Sequence, residues 1–138
     1  MFPVEQIRAT KIRILLADDH PQVRGQLVAR LMWESDFEVA SVAFDSFQAL
    51  QMAQSMQPDL LLMDPMMRDG LGLATLRQLR ASLPNMIVVV LTAVVDTTLN
   101  IQLKEMGIEH ILSKGIPTSK LLLELRSAAG TLPPSPGS

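Results

Sequence analysis

Five short runs of aliphatic and β-branched residues alternate along this chain with five segments of helical periodicity, and that alternation leaves few folds open to it. The strand-like runs cover residues 12–17, 37–43, 59–63, 86–91 and 108–113. The third, ending in LLLM after Pro58, is apolar without interruption, as a strand buried on both faces should be. The segments between them read as helices over 21–35, 46–56, 71–83, 96–106 and 119–129. Val23, Leu27 and Leu31 recur at four-residue spacing behind Pro21, which suits a first helical turn. Phe47, Leu50 and Ala53 share one helical register, and Leu73, Leu76, Leu79 and Leu83 another. Gly107 is placed to end the fourth helix in a left-handed conformation. Pro117 and Thr118 precede the last helix as breaker and cap. Strands alternating with helices predict an α/β fold: a doubly wound five-stranded parallel sheet, right-handed crossovers, and helices on both faces.

In such a sheet, ligands bind outside the carboxyl ends of the strands. Asp18 and Asp19, Asp64, Thr92 and Lys114 fall at four of these ends and should meet there. Taken singly, each has an ordinary reading. The two adjacent aspartates could cap the helix after them, Asp64 could be a turn residue before Pro65, Thr92 a plain strand residue and Lys114 an edge-strand lysine. Together they demand more. Two carboxylates about 4 Å apart repel by roughly 4 kcal/mol at an effective dielectric near 20. Three in one pocket need a proton, a cation or a lysine. Lys114 supplies one positive charge, and Mg²⁺ suits the remainder because it prefers carboxylate, water and phosphate oxygens. The Thr92 hydroxyl could donate to a phosphoryl oxygen, and small Ala93 would let a backbone N–H approach it. His20 lies past the aspartates with no His or Cys partner nearby, and His110 looks incidental to the last strand.

Composition removes other classes. A net charge of -2 gives no basic footprint for nucleic acid. With no cysteine there is no disulfide framework and no thiolate metal site. No apolar run approaches the roughly 20 residues of a membrane helix, and residues 1–11 show no signal peptide. A soluble cytoplasmic protein is the expectation. Residues 1–130 read as one domain. Residues 131–138, with three prolines and a glycine, read as a flexible tail or the start of a linker to an absent domain.

The stretch ILLADDHPQVRGQL, followed in order by PDLLLMD, VVVLTA and a final SK, resembles the receiver domain of two-component response regulators, and within it the NarL/LuxR branch. The resemblance runs from Lys11 to about Ala129 and implies the flavodoxin-like receiver fold with strand order 2-1-3-4-5. It implies that Asp64 is the phosphoacceptor, taking a phosphoryl group from a sensor histidine kinase or a histidine phosphotransfer protein. By the same resemblance, Asp19 and Asp64 with the Met66 backbone carbonyl hold Mg²⁺ (or Mn²⁺) directly, and Asp18 holds it through water. Lys114 and Thr92 each bind a phosphoryl oxygen, as do the backbone N–H groups of Met66 and Ala93. The domain would be a switch and not an enzyme, capable only of self-phosphotransfer and slow autodephosphorylation. It would commonly precede a helix-turn-helix output domain and regulate transcription. Homodimerisation or output contacts would use residues 94–119, with Val94, Val95 and Ile111 as candidate apolar residues; neither DNA nor membrane would meet this segment.

Three departures stand out. The family usually has D-x-x-M-P-x-x-D-G after the acceptor strand; here DPMMRDG, residues 64–70, is two residues shorter. Pro65 pushes Asp64 towards extended geometry and removes one N–H, while the N–H of Met66 remains. Ile111 stands where the family has the Tyr or Phe that moves with the threonine, and the chain has no tyrosine. Gly115 follows Lys114 where many receivers have proline. Two rivals follow: a pseudo-receiver that binds proteins without being phosphorylated, and a flavin or nucleotide binder. The second is disfavoured because ADDHPQ offers carboxylates and not a glycine-rich cradle to a phosphate.

Overall fold

In a computed structural model, which describes residues 11–94 and 96–130, strands β1 (Ile12–Ala17), β2 (Phe37–Ala43), β3 (Leu60–Met63), β4 (Ile87–Thr92) and β5 (His110–Ser113) form one sheet. Their order is β2-β1-β3-β4-β5, and every pairing is parallel. Helices α1 (Pro21–Leu31), α2 (Ser46–Met56), α3 (Gly72–Ser82), α4 (Thr97–Glu105) and α5 (Thr118–Ala128) connect them. The expected alternation and strand order are therefore both present.

The sheet divides its side chains by parity, because successive strand residues point to opposite faces. Ile14, Leu16, Leu60, Leu62, Val89 and Leu91 meet Leu27 and Leu31 of α1 and Leu121 and Leu125 of α5. Leu15, Ala17, Leu61, Met63, Val88 and Val90 meet Ala49 and Ala53 of α2, Leu76 and Leu79 of α3, and Leu99 and Leu103 of α4. All four residues of β3 are fully buried, which explains its unbroken LLLM. β1 pairs with β2 on one side and β3 on the other, so the strand order reverses beside it. The crevice at this reversal lies between the ends of β1 and β3.

Several boundaries differ from expectation. α1 stops at Leu31, not at 35. The next residues turn, with the Glu34 N–H bonding to the Leu31 carbonyl, and leave Met32 and Trp33 exposed. In α2 the buried face is Ser46, Ala49 and Ala53, and Phe47 points outwards at 60% exposure. The small residues win because α2 lies close against the sheet. Its cap is Asp45, whose carboxylate accepts from the Gln48 N–H at 2.8 Å. α5 is preceded by Pro117 in extended geometry, with Thr118 already its first residue, so the threonine is not the cap. Gly107 does adopt positive φ after α4. No helix among the described residues is long and apolar enough to cross a membrane. Val95 and residues 131–138 fall outside the described residues.

The turn after α1 is fastened to α5 by charge. Arg126 donates to both carboxylate oxygens of Asp36, at 2.7 and 2.9 Å, and to Glu34 at 2.7 Å. The Arg126 guanidinium holds the Asp36 carboxyl below the ordinary 3.8, more than offsetting the opposing effect of burial. A lowered folded-state pKa adds stability that is complete above the unfolded value and is lost as pH falls through the folded one. Asp36→Asn should therefore cost about 1–2 kcal/mol by urea denaturation at pH 7, and the gap from the parent should close progressively below about pH 4.

Candidate functional site

The turns leaving β1 and β3 and the end of β5 bring three charged groups into contact, with Asp19 beside them. Lys114 Nζ lies 2.7 Å from Asp18 Oδ2 and 2.6 Å from Asp64 Oδ2. Backbone bonds set the frame: the Asp64 N–H bonds to the Ala17 carbonyl at 3.0 Å, and the Lys114 N–H to the Thr92 carbonyl at 2.9 Å. Asp18 and Asp64 are buried, at 1% and 4% exposure. Burial alone would lower the Lys114 pKa, but its hydrogen bonds to Asp18 and Asp64 outweigh that and raise it above 10.5. The lysine is thus a fixed ammonium across the neutral range.

The second oxygen of Asp64 accepts from the Met66 N–H at 2.8 Å, so both acceptor oxygens already face donors. Asp19 Oδ2 accepts from the Arg68 N–H at 2.8 Å, while its Oδ1 is buried with no hydrogen-bond partner. His20 Nδ1 is 3.1 Å from that orphaned oxygen but not directed along a hydrogen bond to it. The same nitrogen lies 3.0 Å from Asp18 Oδ1 and 3.3 Å from Lys114 Nζ. His20, set aside on sequence grounds, is therefore inside the cluster. Its adjacency to the aspartate pair was the available signal. Ligand atoms of Asp18, Asp19, His20 and Asp64 all lie within 4.8 Å of one another. Mostly oxygen donors, one of them buried and unpartnered, fit a hard divalent cation such as Mg²⁺ or Mn²⁺.

The capping alternative for the aspartates fails. The cap of α1 is His20, with no side-chain cap bond, and Asp18 Oδ1 instead accepts from the His20 N–H at 2.8 Å. Thr92 is buried at the end of β4, its hydroxyl 3.3 Å from the Val94 N–H that donates to it. Ala93 is exposed beside it. Behind Thr92 lies a cavity of about 190 Å³, walled in part by Val94, Asn100, Ile111 and Leu112. Ile111 is half-buried against the core and Val94 is exposed, so of these two candidate surface residues only Val94 stands out. A larger hollow of about 500 Å³ lies at the opposite edge, around Pro58, Pro84 and Met86, away from the carboxylates. His110 Nδ1 is 3.8 Å from Glu124 on α5 and takes no part in the site.

Two supporting residues escaped the sequence reading. Arg24 donates to the Asp18 backbone carbonyl at 2.8 Å and stacks its guanidinium over Phe44, 4.2 Å from the ring centre. Asp69 accepts from the Ser46 N–H at 2.6 Å, the Ser46 hydroxyl at 2.8 Å and the Leu71 N–H at 3.0 Å, fastening the loop after β3 to the start of α2. Burial opposes ionisation of Asp69, but these three bonds prevail and lower its pKa.

Comparison with known proteins agrees with this geometry. The family model of the response regulator receiver domain matches residues 14–126, and the chain belongs to that family. Response regulator protein VraR of Staphylococcus saprophyticus is 30% identical over 83% of this chain and 55% of its own length. Oxygen regulatory protein NreC of Staphylococcus aureus is 32% identical over 84% of this chain and 54% of its own length. The chain thus spans about half the length of these curated relatives. The signal receiver domain of NarL from Mycobacterium tuberculosis superposes with a TM-score of 0.82 at 23% identity, covering 88% of this chain and 98% of that one. A LuxR-family regulator from Aurantimonas sp. gives 0.80 at 22% identity, covering 88% of each chain. This is a response regulator receiver domain, consistent with a switch in two-component signalling.

Removing the ammonium leaves buried carboxylates without their countercharge. Lys114→Met should lose about 3 kcal/mol at pH 7 in the presence of a chelator, measured by denaturant unfolding. Because the lysine pKa is raised on folding, its contribution should stay constant up to about pH 10 and fall away only as pH rises through the folded value.

Proposed function

We propose that this domain is a phosphorylation switch whose acceptor is Asp64. The observation that carries the reading is the environment of that carboxylate: one oxygen on the Met66 N–H, the other on Lys114, beside two further aspartates. An Asp64 oxygen would form the new bond to phosphorus as the phosphorus–nitrogen bond of a phosphohistidine breaks, its electron pair leaving with the imidazole. The donor would be a sensor histidine kinase or a histidine phosphotransfer protein. Mg²⁺ (or Mn²⁺), held by Asp19, Asp64 and the Met66 carbonyl, with Asp18 through water, would neutralise the anionic partners.

The chain's own groups then position and stabilise charge. Lys114 would exchange a carboxylate oxygen for a phosphoryl oxygen. The Met66 N–H, already aimed at Asp64, and the Ala93 N–H would meet others. The Thr92 hydroxyl would leave Val94 and donate to the phosphoryl group. An output domain outside this chain, DNA binding through it, homodimerisation, a cytoplasmic location and a linker role for residues 131–138 belong to the same proposal. The relatives' greater length supports the output domain.

The test is intact mass after incubation with Mg²⁺ and a small phosphodonor. One phosphoryl adduct is expected, absent without Mg²⁺ and absent in Asp64→Asn. No adduct in a folded, Mg²⁺-binding protein would favour the phosphorylation-independent interaction module. Met66 and Val94 flank the pocket with apolar, half-exposed side chains that orient no water. The adduct should therefore decay slowly, and a half-life of seconds would refute that.

A further inference from the structure

The geometry points to Gly72 as a positioning residue for the acceptor: its missing side chain is what lets the shortened loop close over Asp64. This rests on the reading of Asp64 as the acceptor. Gly72 is the first residue of α3 and is buried, with no positive φ to require glycine there. Space is the constraint. A Cβ on Gly72 would overlap the carbonyl oxygen of Pro65 and stand 2.6 Å from its carbonyl carbon and 2.9 Å from its Cα. All three atoms are backbone, so no side-chain rotation relieves the overlap.

Pro65 has little room to retreat. It is buried between Asp64, whose N–H is bonded to Ala17, and Met66, whose N–H is bonded to the Asp64 carboxylate. Downstream, Arg68 is held by Asp19, Asp69 by Ser46, and Gly70 by a turn to the Met67 carbonyl. A loop of this length draws the first turn of α3 down onto the end of β3, and only glycine leaves room for the contact. A methyl group at 72 would therefore move Pro65, and with it the Asp64 carboxylate and the Met66 N–H on either side. The remedy is as specific as the defect: extra loop residues would let α3 begin farther from Pro65.

The experiment compares four chains: the parent, Gly72→Ala, the parent with two glycines inserted between Arg68 and Asp69, and that insertion combined with Gly72→Ala. Phosphorylation by a small phosphodonor with Mg²⁺ is followed by intact mass, and the Met66 amide by NMR. In the short loop, Gly72→Ala should slow phosphorylation at least tenfold and shift the Met66 amide. In the long loop, alanine and glycine should differ by less than twofold, with matching Met66 resonances. Equal rates for the parent and Gly72→Ala would overturn the inference, as would an alanine penalty that is the same in both loops. If Gly72→Ala fails to fold, recovery of fold and rate in the long loop supports the inference, and continued failure there overturns it. A folded parent that accepts no phosphoryl group refutes the reading of Asp64 instead. The Met66 resonances of the four chains then still decide the role of Gly72.

Discussion

Putting carboxylates at the buried end of a hydrophobic sheet is costly unless a positive charge goes with them. Here that charge is Lys114, in contact with both Asp18 and Asp64. Its two short contacts join the ends of β1, β3 and β5, one outer and two central elements of the sheet. The apolar layers beneath fix where each strand ends, and the ion cluster uses that placement. Core and site are therefore one arrangement: a strand shifted by a single residue would turn its aliphatic side chains to the wrong face and remove its charge from the cluster.

The outline of the fold was legible because it depends on periodicity. Strand runs, helix stripes and the Gly107 terminator all report local geometry, and β1, β2 and α2 have the expected limits. The failures have local causes too. Phe47 looked like core by hydrophobicity, but the close approach of α2 to the sheet admits only Ser46, Ala49 and Ala53. α1 ended early because Glu34 and Asp36 are drawn towards Arg126, ninety residues away in sequence in the case of Asp36. No window of sequence contains that pairing.

The site shows the same division. Asp18, Asp64 and Lys114 were found because strand ends in a parallel sheet converge by topology. His20, Arg24 and Asp69 were missed because their parts depend on the path of loops: where a ring turns, which carbonyl a guanidinium reaches, which helix start a carboxylate holds. The short DPMMRDG loop was visible as a departure from the family. Its physical content, a backbone contact between Pro65 and Gly72, needed coordinates.

The strand order has a consequence for the chain as it is synthesised. β1 lies at the centre of the left half of the sheet, so β2, β1 and β3 can associate once residue 63 has appeared, and β4 and β5 then add outwards in turn. The aspartates emerge early, but the lysine arrives on the last strand to dock. A nascent or truncated chain would thus hold the acidic groups without the ammonium that completes them. Completion of the pocket therefore waits for the last strand, after which only α5 remains to close over the sheet.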